Sequence, residues 1–359
     1  MNTKLHYRVG FATPAFLGDA TGHGTWRVPP FKALLRQWWR VVHAPVVNYD
    51  VTRLLADESR IFGAAAEKDA HRSLVQLRLG HWDDGKLTAA NWPNKDIPGM
   101  QSGGNTVPAD VYLGYGPVPP RSKQASEQRR AIAPGDTNTL EVLLDRRLGE
   151  RDREEITAAI ELMDGFGTMG SRSRNGWGSL SIRSGSGSRA GVPDLAKVVS
   201  PVSRTLEECF RHDWPHAIGR DDLGPLVWVG ARDGKPLGNW REAVWFLANL
   251  RRTARSAAAA KGGAGAITAS QLFAYPVTKQ QQPRWGGRER VPNSLRFKVI
   301  DCDGALHPVV YHMPADLPAA LMGMLPPPDQ KWVRENRIAI WKSVHEAVGK
   351  LMAPRGARA

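Results

Sequence analysis

Three clusters in this sequence carry side chains able to do chemistry. The first is the Gly-rich run DGFGTMGSRSRNGWGS at 164–179. Gly165, Gly167 and Gly170 satisfy G-x-G-x-x-G, but the run follows a helical pattern and enters a strand, the reverse of a dinucleotide fingerprint. Ser171 and Arg172 stand where a phosphate-cradling P-loop needs Lys and Ser/Thr. A third use remains. Successive exposed amides form an anion-binding concavity, Arg172 and Arg174 add charge, and Trp177 offers a stacking face. The competing reading is a tight turn whose glycines supply positive φ and whose arginines are merely solvated.

The second cluster lies in FKALLRQWWR (31–40). Lys32, Arg36, Trp39 and Arg40 fall at i, i+4, i+7 and i+8 on one helical face, opposite the apolar stripe of Phe31, Leu34, Leu35, Trp38 and Val42. Cations beside an indole suit a phosphodiester chain with unstacked bases. The alternative is a solvated basic face with Trp39 packed on a neighbour. In the third cluster, Cys209, His212 and His216 have spacings that zinc tolerates, with Asp213 or Cys302 as a fourth ligand; no metal or cofactor is expected. There is no H-E-x-x-H, no G-x-S-x-G and no carboxylate cluster for Mg²⁺. The ten histidines are scattered, so binding is favoured over catalysis, although one His with one Lys or Tyr suffices for metal-free RNA cleavage.

Elements must position these side chains. Tyr7, Val9 and Phe11 alternate as in a strand within Lys4–Phe16. Pro29 and Pro30 open a helix over Phe31–His43, and a second helical stretch covers Val51–Phe62. Ser73–Leu79 and Thr139–Asp145 read as strands, Arg153–Asp164 as a helix and Ser179–Arg183 as a returning strand. Strand, helix, strand, strand, helix, strand is the split βαβ order of a ferredoxin-like domain. Residues 80–137, rich in Gly, Pro, Asn and Ser, are longer than ordinary connections, so they form either an ordered functional insertion or a mobile one. SGSGSRAG at 184–191 is a flexible linker by composition, which sets a boundary near 190. Beyond it, Leu226–Val229 suits a strand. Asn239 and Glu242 cap a helix with Arg251, Arg252 and Arg255 in its last turns, where cations suit the dipole. SAAAAKGGAGA (256–266) reads as a mobile loop. Leu295–Val299 reads as a half-exposed strand with Arg296 and Lys298 outward, and a helix covers Lys331–Met352.

The 359 residues suit two domains. Forty-nine Lys and Arg against thirty-five Asp and Glu give +14, and a pI near 10.1 attracts polyanions. With 42% apolar residues and thirteen Trp, wholesale disorder is excluded. Two cysteines exclude a disulfide framework and fit a reducing compartment. No apolar run nears the roughly 18 residues of a membrane span, and the N-terminus lacks a secretion signal. These features imply a soluble, cytoplasmic chain without membrane contact.

TPAFLGDA (13–20), RVPPFKALLRQWWR (27–40), ESRIFGAA (58–65) and GFGTMGSRSRNGWGS (165–179), in that order, resemble the RAMP superfamily of CRISPR proteins. Within it they are most similar to the family of the first subunit of the Cmr (type III-B) effector complex. Lys32, Arg36, Trp38, Trp39 and Arg40 match that family's Lys-Gly-x-Leu-Arg-x-Trp-Trp-Arg helix, Phe62-Gly63 its aromatic-glycine turn, and Gly165–Gly178 its Gly-rich signature. Ala33, Pro30 and Gln37 depart from the pattern, and in the second half only Arg290–Val299 resembles a family strand. The resemblance implies an α+β fold of two tandem ferredoxin-like (RRM-type) domains, 1–190 and 191–359, with long Gly/Pro-rich loop insertions. It also implies a non-catalytic, RNA-binding subunit of an antiviral guide-RNA ribonucleoprotein. Its partners would be guide (CRISPR) RNA, target RNA and other Cmr subunits, and its task to help capture target RNA near the guide 3′ end. The alternative within the superfamily is a metal-independent guide-processing endoribonuclease. The residues expected at RNA are Lys32, Arg36, Trp39, Arg40, Arg60, Gly170, Ser171, Arg172, Arg174, Asn175 and Trp177.

Overall fold

Alternation along β1 (Thr3–Phe11) turns Val9 and Phe11 into the core and leaves His6 and Arg8 outside. This strand lies at the centre of the first sheet. In the computed structural model, which describes residues 2–355 except 19–21, 66–69, 103, 186–188, 190, 278–279, 281 and 287–288, α1 (Val28–His43) follows it. Arg27 precedes that helix in extended conformation, and Pro in its first turn suits the fixed φ. Next come α2 (Val51–Phe62), where the Asp50 carboxylate accepts from the Thr52 and Arg53 amides, and β2 (Val75–Leu79).

The described part of 80–137 holds a hairpin, β3 (Gly99–Ser102) and β4 (Asn105–Pro108), and a short α3 (Ala109–Gly114). Trp92, Met100 and Leu113 anchor this insertion in a buried cluster shared with Leu247 and Phe297. After it come β5 (Thr137–Leu144), α4 (Glu150–Phe166) and β6 (Leu180–Ser184). The sheet runs β2-β5-β1-β6 and is antiparallel throughout, with Leu5 opposite Val142 and Val9 opposite Ile182. Its helices cover one face, where Phe31, Leu35 and Trp38 of α1 share a core with Ile156, Ile160 and Met163 of α4.

The second half holds a smaller three-stranded sheet and two long helices. β7 (Val227–Val229), α5 (Trp240–Ala259), β8 (Leu295–Cys302), β9 (Ala305–His312) and α6 (Pro327–Gly349) come in this order, with shorter elements between them. The sheet runs β7-β9-β8, antiparallel. Beyond α6 the chain returns beside β7 through one bridge, Ala231 to Met352. The α+β class expected from the sequence stands. The cores cross residue 190: Trp38 and Val9 share one with Ile218 and Tyr311.

Two local expectations are corrected. Residues 256–259 continue α5 instead of starting a loop, because an alanine run has the highest helix propensity. Arg251 and Arg255 therefore sit inside the helix, away from its C-terminus. In β8, Arg296 is 8% and Lys298 0% exposed; the strand is covered on both faces, so alternation does not bring either cation to water. The linker expected at 184–191 falls largely outside the described residues. Among the described residues no helix is long and apolar enough to cross a membrane.

Candidate nucleic-acid interface

The basic face of α1 is not open. α2 lies along it, and the Glu58 carboxylate, 1% exposed, accepts from Arg36 Nε at 2.5 Å and from Arg40 Nη2 at 2.6 Å. Burial pushes the Glu58 carboxyl up, but hydrogen bonds from Arg40 and Arg36 outweigh it and hold it below the usual carboxylate range. Lys32 Nζ donates to the Phe62 carbonyl at 3.1 Å, closing the end of α2. Burial, then the Arg36 charge, lowers the Lys32 ammonium. Arg60 pairs with Asp152 of α4 at 2.7 Å. His43 sits between Glu155 at 2.8 Å and Asp57 at 3.0 Å. Trp39 is 0% exposed, stacked on His43 with centroids 4.6 Å apart and edge-on to Phe62. The expectation of an indole free to stack a base is corrected. Lys32, Arg36, Arg40 and Arg60 bind three helices together.

The Gly-rich run is a tight turn as well as a source of cations. Gly170 has φ +92°, and a Cβ there would lie 2.5 Å from the Phe16 carbonyl oxygen. The Ser171 amide donates to that same oxygen at 3.0 Å. Amides of Ser173, Asn175, Gly176 and Gly178 are likewise used inside the protein, so they form no anion nest. Trp177 is 0% exposed, wedged between Phe16 and Trp92, and offers no stacking face. Asn175 Nδ2 donates to the Leu113 carbonyl at 2.7 Å, tying the loop to the insertion. Only Arg172 and Arg174 of this group project outward.

These two arginines meet cations from elsewhere. A cleft of about 910 Å³ is lined by Arg172, Arg174, Arg251, Arg255, Arg290 and Arg296, and by no aspartate, glutamate, lysine or histidine among the described residues. Tyr112 orients two of them: the Arg251 guanidinium lies 5.5 Å from its ring centre, and Arg255 Nη1 donates to its hydroxyl at 3.4 Å. Burial, with Arg255 and Arg172 close by, lowers the Arg251 guanidinium despite the favourable Tyr112. Burial, then Arg296, lowers Arg174. Crowded like charges without a carboxylate favour a polyanion, whose phosphates relieve the repulsion. Tyr115, 61% exposed on the cleft wall, presents an aromatic face.

A buried lysine sets the cleft geometry. Lys298 Nζ donates to the carbonyls of Asp164 at 2.5 Å, Leu180 at 2.7 Å and Gly167 at 3.0 Å. It thereby caps the end of α4 and grips both ends of the Gly-rich run. Burial pulls its pKa to about 7, with Asp164 opposing. The Phe297 amide donates to the Arg174 carbonyl at 3.2 Å, which holds Arg174 beside Arg296. Sequence reasoning saw Arg251, Arg255 and Arg296 but gave them other work; the i, i+4 spacing of Arg251 and Arg255 was the available signal.

Cys209, His212 and His216 do not converge on a metal. Burial pushes the Cys209 thiol up to about 12, away from the thiolate a metal needs. Both histidines pack on Tyr49, and among the described residues no group of three or more metal-binding side chains occurs.

The RAMP superfamily model matches residues 11–181, the stretch that holds most of the antiparallel sheet in split βαβ order and this Gly-rich turn. The chain is similar in fold to Cmr1 from Pyrococcus furiosus in its apo crystal form. That match has a TM-score of 0.51 at 16% identity, covering 87% of this chain and 88% of that one. It is also similar to a chain in the cryo-EM structure of type III-B Cmr-beta bound to cognate target RNA. There the TM-score is 0.50 at 11% identity, over 96% of this chain and 99% of the other. No curated protein matches.

Proposed function

We propose that this protein is a non-catalytic RNA-binding subunit of a type III-B CRISPR effector. The observation that carries this is the cleft, lined among the described residues by six arginines and no carboxylate. Guide or target RNA would lie there, held by phosphate contacts that leave sequence readout to guide–target pairing. The halves, 1–190 and 191–359, are read as two ferredoxin-like units, the second with its fourth strand shortened to the Met352 bridge. Other Cmr subunits are its expected partners. The non-catalytic part is supported by the cleft lining, which among the described residues offers no imidazole, ammonium or carboxylate to move a proton.

The test is direct. The purified chain, incubated with single-stranded RNA and with repeat-containing precursor RNA with and without Mg²⁺, should bind both and cut neither. Specific cleavage abolished by replacing one residue would hand the case to the endoribonuclease alternative. Salt-independent or absent binding would overturn the cleft assignment.

A further inference from the structure

A smaller pocket of about 140 Å³ adjoins the arginine cleft. The two share five lining residues, Arg174, Val291, Pro292, Asn293 and Arg296. Phe210, Met313 and Trp341 make its walls largely apolar. Its polar atoms are mismatched toward donors. Asn293 is 8% exposed; its Oδ1 accepts from the Leu295 amide at 3.0 Å, while Nδ2 has no partner among the described residues. Arg296, also 8% exposed, leaves Nε unpaired, as does Arg337. The carboxylates nearby are engaged: Asp316 pairs with Arg337 at 2.6 Å, and Asp213 accepts from the Ala319 amide at 3.2 Å. Buried donors without acceptors are costly, and a ligand supplying acceptors removes that cost.

We propose that this pocket takes one pyrimidine base turned out of an RNA strand lying in the arginine cleft. The inference rests on the RNA-binding reading and adds a subsite to it. Size suits the ring: a cavity of about 150 Å³ accepts benzene, so a six-membered ring fills this volume of about 140 Å³, and a purine would leave its second ring outside, in the cleft. Chemistry selects the edge. Uracil carries two carbonyl oxygens, and cytosine a carbonyl oxygen and a ring nitrogen, each pair able to accept from Asn293 Nδ2 and Arg296 Nε. The apolar walls then hold the ring out of water. Phosphate contacts carry no sequence information; this pocket would impose a base preference at one position of an otherwise indifferent strand.

The experiment compares the full-length chain with Ala315→Phe, which fills the pocket from its lining, and with Asn293→Asp, which keeps the Oδ1 acceptor and replaces the free donor. Equal-length oligouridine and oligoadenosine are titrated against each. The wild-type preference for oligouridine should drop by about tenfold in both variants, and self-stacking of free adenosines cancels in that comparison. In a second arm, 4-thiouridine RNA is photo-crosslinked to the wild-type chain, which needs no variant to fold. Crosslinks should map to 291–296, 313–318 or 337–341. An unchanged preference in folded variants, or crosslinks confined elsewhere, overturns the pocket while salt-dependent binding sustains the cleft. Absence of any RNA binding by wild type overturns both.

Discussion

Replacing Arg251 and Arg255 together by Ala separates the cleft from the basic helix as the seat of RNA binding. Both guanidiniums are oriented by Tyr112 and line the cleft, which has no carboxylate among the described residues. If each neutralises one phosphate, the log–log salt dependence of single-strand binding flattens by about 1.4. Between 50 and 200 mM salt, the affinity deficit of the variant should then shrink about sevenfold. Stability should hardly move. The lost cation–π contact is worth about 0.5–1 kcal/mol, and removing Arg255 relieves its repulsion of Arg251. The control is Arg36→Ala with Arg40→Ala, which strands the Glu58 carboxylate. Breaking a buried pair costs about 3–5 kcal/mol, and with guanidiniums 39% and 38% exposed about half of that is expected. That variant should melt earlier with an unchanged salt slope. Filter-binding titrations across four salt concentrations, beside thermal melts, read both quantities. A flattened slope in the Arg36/Arg40 variant, with none in the Arg251/Arg255 variant, would refute the assignment.

Trp39→Ala should cost about 3–5 kcal/mol of stability, seen as an earlier denaturation midpoint, with RNA affinity per folded molecule unchanged. A stable variant with weakened binding would restore the base-stacking expectation. Lys298→Met should destabilise by about 3 kcal/mol, because the Asp164, Leu180 and Gly167 carbonyls lose their donor; equal stability would mean that burying the ammonium costs as much as those bonds return. His345 and His312, 3.0 Å apart, are both lowered by burial, His345 to about 3. Their unfolded forms protonate near 6.5, so the stability they contribute is present above about pH 6.5 and is lost as pH falls toward the folded values, by roughly 1.4 kcal/mol per group at one pH unit below. His43 has the opposite sign: its pairing with Glu155 and Asp57 overcomes burial and raises it, so its contribution is present below about 6.5 and fades as pH rises through the folded value. Denaturant melts of His345→Leu between pH 5 and 8 should show a shallower acid loss than wild type.

Local sequence signals determined the sheet and long helices of the first half, but not the hairpin and α3 inside 80–137. The Val51–Phe62 helix, the strands around β2 and β5 and the split βαβ order follow from apolar spacing, caps and turn residues, which act within a few positions along the chain. The RAMP-like segments were legible for the same local reason. Which cations face an RNA strand was not. A helical wheel places Lys32, Arg36, Trp39 and Arg40 together, but only the packing of α2 supplies Glu58 and covers the indole. Alternation places Arg296 and Lys298 on one side of β8, yet the Gly-rich run and α4 cover that side, so one becomes a clamp and the other part of the cleft. Arg251 and Arg255 gained their role because alanines prolong α5 past them and the insertion brings Tyr112 alongside. Local propensity fixes what a segment becomes; which face meets solvent depends on partners distant in sequence, and burial decides whether a cation binds RNA or the protein's own backbone.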